Sequence, residues 1–107
     1  MTDVLSRLTA LIEKRRAAAG GTSYTRQLLD GGAKRCAKKF GEESTELIIA
    51  ALAEDQTAIA SESADVIYHL LVLLAERRVP FDAVLQVLER RIGQSGLDEK
   101  ASRVQKG

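Results

Sequence analysis

One cysteine, one proline, one histidine and no tryptophan stand in a chain of 107 residues. The lone Cys36 rules out an intrachain disulfide and a cysteine-rich zinc site. Aromatic residues make up only 4% against 45% hydrophobic residues overall, so the core must be built from Leu, Ile, Val and Ala. A formal charge of +1 gives no general attraction to nucleic acid or to an acidic membrane. No apolar run approaches the roughly 20 residues of a membrane span. The start, MTDVLSRL, lacks the basic-then-apolar pattern of a signal peptide. A cytoplasmic protein with neither a nucleic-acid nor a membrane partner is expected.

The scarcity of proline and the long Ala/Leu/Glu/Arg runs favour helix throughout. The expected fold is all-α, an antiparallel bundle of four to five helices in one domain spanning residues 1–107. Thr2 or Asp3 can cap a first helix to about Ala19, with Val4, Leu5, Leu8, Leu11, Ile12 and Arg15 along one stripe. Gly20-Gly21 stops it, and Thr22 or Ser23 caps a short second helix from Tyr24 to about Asp30. A third helix is expected over about 33–54, grouping Cys36, Phe40, Leu47 and Ala51 on one side. Asp55 can cap a fourth to about Arg78, and Pro80 suits the first position of a fifth ending near Ile92, with Phe81, Val84, Leu85 and Leu88 as its apolar face.

The second half of the fourth helix, 66–75, is apolar nearly all round. Such a helix expects cover on every side, which five short helices from one chain would barely provide. A homodimer packing on this segment is therefore expected. Tyr68 reads as a core or interface residue, His69 as a hydrogen-bonded core histidine, and Cys36 as a small buried hydrophobe.

Acidic residues are concentrated on the expected third and fourth helices. Glu42, Glu43 and Glu46 are followed, sixteen positions past Glu46, by Glu62 and Asp65. Residues three apart share a helix face, so Glu43 with Glu46 and Glu62 with Asp65 each form a carboxylate pair. Antiparallel packing would bring the four together. Like charges near a core repel and resist desolvation, a conflict that a divalent cation removes. Lys38–Glu42 and Lys39–Glu43 read either as surface ion pairs or as phosphate-holding lysines one turn before the carboxylates. Gly41, in mid-helix before two glutamates, is expected to admit a close approach to the backbone.

Hard oxygen donors suit Mg²⁺, or Mn²⁺, rather than zinc. A nucleotide polyphosphate is the common substrate of such a site, and a further carboxylate can orient the attacking water. Di-iron bundles add a histidine three residues after a glutamate; none of these glutamates has one.

Glu42-Glu43-x-x-Glu46 followed by Glu62-x-x-Asp65 resembles the signature of MazG-type all-α nucleoside triphosphate pyrophosphohydrolases. Nearly the whole chain is similar, more narrowly, to the phosphoribosyl-ATP pyrophosphohydrolase family. Ser23-Tyr24-Thr25, Leu28-Leu29, Gly31-Gly32, the 38–43 run KKFGEE, Tyr68-His69 and the tail SGLDEKASR carry that resemblance. Ser44 and Cys36 depart from it, and neither belongs to the acidic set.

The resemblance implies hydrolysis of phosphoribosyl-ATP to phosphoribosyl-AMP and pyrophosphate in histidine biosynthesis, by a Mg²⁺-dependent homodimer. It implies Glu43, Glu46, Glu62 and Asp65 as metal ligands and Glu42 as the residue that orients water or completes the metal shell. Lys39, with Lys34, Arg35 and Lys38, would hold β- and γ-phosphate oxygens, and Arg91, Lys100 and Arg103 the phosphoribosyl end. The polar tail, by composition a frayed terminus, becomes a segment that folds over substrate or pairs across a dimer. Two other readings stay open: a house-cleaning pyrophosphohydrolase of ordinary or damaged dNTPs, and a non-catalytic helical dimer whose carboxylates are a solvated face.

Overall fold

A computed structural model describes residues 3–18 and 23–93. It contains α1 (Asp3–Ala17), α2 (Tyr24–Asp30), α3 (Gly32–Ala53), α4 (Gln56–Glu76) and α5 (Phe81–Ile92). No strand occurs among the described residues, and the fold is all-α.

Local chemistry sets the breaks. Ser23 Oγ accepts the Arg26 backbone N–H at 3.1 Å and starts α2. Gly31 N–H closes α2 on the Leu28 carbonyl at 3.1 Å. Gly32, at φ 80°, then turns the chain directly into α3, a conformation glycine adopts without a Cβ penalty. Asp55 Oδ1 accepts the Ala58 N–H at 2.9 Å, so only Glu54 and Asp55 separate α3 from α4. Caps of this kind contribute about 1 kcal/mol each. So short a connection makes α3 and α4 an antiparallel hairpin, and this is the most extensive helix pair in the molecule.

The core is aliphatic, as the composition requires: Ile12 of α1, Leu28 and Leu29 of α2, Cys36 of α3, and Leu71 and Val72 of α4. Cys36 is sealed in this cluster, and its thiol donates to the Leu28 carbonyl at 3.4 Å. Burial, ahead of the nearby Glu76, pushes the thiol up from its ordinary range and makes it a poor nucleophile.

Several expectations need correction. α1 ends at Ala17 and α4 at Glu76, both about a turn or less short of the expected limits. Val4 and Leu11 of the first stripe are exposed. On α3 it is Ala50, not Ala51, that is buried. The inward series therefore runs Cys36, Phe40, Glu43, Leu47, Ala50 in steps of four and three, and a carboxylate occupies its middle. Pro80 caps α5 rather than opening it. Arg78, at φ 58°, takes the left-handed position that ends α4, a site glycine usually fills.

The apolar half of α4 is not covered on every side within one chain. His69, Leu71 and Val72 are buried, whereas Ile67 is 43% exposed. By length and composition α4 is also apolar enough to cross a membrane, contrary to the impression left by its interrupted apolar runs. Its neighbours suggest another role for that apolarity, since α1, α2 and α3 all pack on it. α5 buries no residue completely and touches the core chiefly through Phe81. Beneath it a cavity of about 600 Å³, walled by residues such as Leu5, Ile12, Leu71 and Phe81, separates α5 from α1 and α4.

Gly41 admits no close approach from within the chain: a Cβ placed there would meet nothing within 4 Å. Gly41→Ala is therefore expected to raise stability by about 1 kcal/mol, the helix-propensity difference. Chemical denaturation measures this, and a loss instead of a gain would mean that another molecule sits against the α3 backbone there.

Candidate active site

The hairpin register decides which acidic residues meet. With Glu54 and Asp55 at the bend, positions on α3 and α4 whose numbers sum to about 108 lie opposite each other. Glu43 thus faces Asp65, and Glu46 faces Glu62. Carboxylate oxygens of Glu43, Glu62 and Asp65 all lie within 4.8 Å of one another. Glu46 is exposed and outside this triad, but it is near enough to act electrostatically on Glu62.

One further carboxylate joins the field. Glu54 also raises the Glu62 carboxyl, and the sequence reading overlooked it. Its position was legible in principle, because eleven residues after Glu43 is close to three full helical turns. Burial is the largest cause of the upward shift at Glu62, followed by repulsion from Asp65, Glu46, Glu43 and Glu54.

Compensating cations are few. Lys39 Nζ lies 3.3 Å from Glu42 and 3.9 Å from Glu43, so Lys39, not Lys38, is the partner of Glu42. Its ammonium is held above the usual lysine range, first by the hydrogen bond to Glu42 and then by Tyr24. Glu43 shows only 19% of its side chain to solvent, whereas Glu42 shows 49%. Among the described residues Glu46, Glu62 and Asp65 form no ion pair. His69 does not help: burial, the dominant cause, and Lys39 press its pKa below the ordinary value against the opposing pull of Glu43 and Asp65. At neutral pH it is an uncharged ring.

That ring belongs to an aromatic group beside the carboxylates. His69 meets Tyr68 edge-on at 5.0 Å and Tyr24 edge-on at 5.9 Å, and the two tyrosines stack at 6.2 Å. Tyr68 Oη and buried Thr25 Oγ1 share a hydrogen bond of 2.6 Å. His69 is thus a core residue as expected, in edge-on contact with both tyrosine rings. Tyr68 is a core residue as expected, half-buried behind Tyr24.

Lys34, Arg35 and Lys38 are exposed on α3, and Arg35 lies across Gly31. Arg91 is in the last turn of α5. Lys100, Arg103 and the tail they belong to fall outside the described residues.

Residues 5–92 match the family model for phosphoribosyl-ATP pyrophosphohydrolase. The chain belongs to that family. A phosphoribosyl-ATP pyrophosphatase of Dinoroseobacter shibae is 53% identical over 100 residues, covering 94% of this chain and 98% of the relative. Phosphoribosyl-ATP pyrophosphatase 1 of Rhodopseudomonas palustris is 50% identical over 96 residues, 90% of each chain. The enzyme of the same name from Bradyrhizobium diazoefficiens is 51% identical over 96 residues, 90% of this chain and 91% of the relative.

Repulsion within the acidic group has a thermodynamic consequence. The folded-state carboxyl of Glu62 lies above its ordinary value, so folding favours the protonated form. Its ionised form therefore opposes folding at neutral pH, and that cost is relieved as the pH falls through the folded pKa. In EDTA at pH 7.5, Glu62→Gln is expected to raise the melting temperature, with the gain disappearing near pH 4. Thermal scans at both pH values check this. A lower melting temperature at pH 7.5 would identify Glu62 as one half of a structural ion pair.

Proposed function

We propose that the protein hydrolyses phosphoribosyl-ATP to phosphoribosyl-AMP and pyrophosphate, the second step of histidine biosynthesis. In this reading Mg²⁺ is held by Glu43, Glu62 and Asp65, with Glu46 beside them. The observation that carries it is the convergence of three carboxylates from two helices within 4.8 Å, in a chain of this family. The donor set fits a hard cation, since it offers only carboxylate oxygens and no thiolate. Mn²⁺ shares that preference. A bound cation would offset charge on the phosphate oxygens and lower the pKa of a coordinated water.

The chain's own groups divide the remaining work. Lys39 bridges Glu42 and Glu43, so it can take a β- or γ-phosphate oxygen while keeping both carboxylates in place. Lys34, Arg35 and Lys38, exposed on the same helix, extend that positive edge. Glu42 is anchored by Lys39 yet open to solvent, which suits a base that orients the attacking water and receives its proton. The water oxygen bonds to phosphorus as the bridging bond between the α and β phosphates breaks, and pyrophosphate leaves with the bonding pair. Arg91, Lys100 and Arg103 are assigned to the phosphoribosyl end. The relatives' names favour phosphoribosyl-ATP over the dNTPs of a house-cleaning enzyme.

A homodimer belongs to the same reading. Ile48, Ile49 and Leu52 are exposed on α3, Leu52 by 85%, and Ile67 of α4 is left open as well. A second copy covering these positions would supply what one chain withholds from α4.

Two measurements test the proposal. Glu43→Gln should lower kcat on phosphoribosyl-ATP about a thousandfold, the scale of lost charge stabilisation at a metal site, with helicity unchanged by circular dichroism. Near-normal turnover would remove Glu43 from the ligand set, and equal turnover of dATP or dCTP would favour the house-cleaning activity. Light scattering should give twice the 11.6 kDa chain mass, with Leu52→Asp shifting the population to monomer. A monomeric wild-type protein would discard the dimer.

A further inference from the structure

Only four aromatic residues besides His69 occur in the chain, two Tyr and two Phe. Both tyrosines are spent at one place. Tyr24 is 48% exposed, yet it is held on two sides, stacked on Tyr68 at 6.2 Å with an interplanar angle of 20° and set edge-on to His69 at 5.9 Å. Tyr68 is in turn fixed by its 2.6 Å hydrogen bond with Thr25. The result is a solvent-facing aromatic surface supported from behind by two other rings.

Its neighbours indicate what it faces. Tyr24 lies within electrostatic range of Lys39, the residue that bridges Glu42 and Glu43. His69, behind it, feels Glu43 and Asp65. His69 follows Asp65 by one helical turn on α4 and Tyr24 stands edge-on to it at 5.9 Å, so the aromatic surface adjoins the carboxylate group. A ligand group settling there would be flat, to stack, and positively charged, to gain from the ring face.

We propose that Tyr24 is a specificity-determining residue that stacks on the base of the substrate and selects a purine carrying a substituent on a ring nitrogen. The inference rests on the activity proposed above. Alkylating a pyrimidine-ring nitrogen of adenine converts it into an amidinium-type ring that is cationic near neutral pH, whereas the adenine of ATP is neutral. The face of a tyrosine stack attracts the former more than the latter. Tyr24 would thus separate phosphoribosyl-ATP from the far more ordinary ATP through the charge of the base, while the triphosphate, common to both, is handled by Lys39 and the carboxylates. Tyr68 and Thr25 act as positioning residues, keeping the Tyr24 ring in place.

The test uses AMP and its N1-methyl derivative, a small cationic-base probe, as inhibitors of the full-length Mg²⁺-loaded protein and as calorimetric ligands. Wild-type protein is expected to bind N1-methyl-AMP about three- to fivefold more tightly than AMP. Tyr24→Leu should erase that preference and raise KM for phosphoribosyl-ATP about tenfold, with a much smaller change in kcat. Tyr24→Phe, which keeps the ring, should retain both. Equal binding of the two probes by wild-type protein, or an unchanged preference in Tyr24→Leu, overturns the inference. Failure of the underlying activity reads differently: wild-type protein would not turn over phosphoribosyl-ATP at all, and the calorimetric comparison would still decide whether Tyr24 selects a cationic purine.

Discussion

Mutual repulsion among carboxylates on facing helices is the constraint on which the functional half of the molecule turns. Glu43 occupies a position in the inward series of α3 where Phe40 and Leu47 are its neighbours above and below, and a hydrophobic side chain there would stabilise the hairpin further. The molecule carries an acid instead, opposite Asp65 and near Glu62. With Lys39 shared between Glu42 and Glu43, no cation of the described chain is left to neutralise Glu46, Glu62 and Asp65. An uncharged His69 adds nothing to the balance. A site built this way is poor for stability.

The rest of the fold serves that hairpin. Two-residue closure at Glu54–Asp55, with Asp55 capping α4, allows little variation in register between α3 and α4. A slip of one residue would rotate each acidic position by about 100° and disperse the group. α1 and α2 cover the opposite end of α4, where Ile12, Leu28, Leu29, Leu71 and Val72 make an aliphatic core. The first residue of α2, Tyr24, stands edge-on to His69, which follows Asp65 by one helical turn. The small apolar core and the charged site are thus neighbours along α4, and His69 lies between them, buried on the core side and within the field of Glu43 and Asp65 on the other.

Apolar side chains left outside the core follow a pattern. Ile48, Ile49 and Leu52 recur at helical spacing on α3, and Leu85, Leu88 and Ile92 do so on α5. Both are whole faces, not scattered residues, in a chain whose single copy fully buries only His69, Leu71 and Val72 of the apolar segment 66–75 of α4. Short helices in a chain of 107 residues offer too little area to close around such a segment.

Helix identity and order, and the breaks around α2 and between α3 and α4, were legible from residue spacing, because caps and glycines act locally: Ser23, Asp55 and Gly32 each do their work within a few residues. So was the family, through the acidic spacing and the Tyr68-His69 pair. The choice of Ala50 over Ala51 as the buried residue, the exposure of Gly41 and the exclusion of Glu46 from the closest group were not, since each depends on how two helices are rotated against each other and not on either helix alone. Pairing of Lys39 with Glu42 likewise reflects side-chain reach across one turn. The linear chain determines which faces carry charge. Only packing decides which of those faces meet, because electrostatic repulsion and ring stacking act through distances that no single helix possesses.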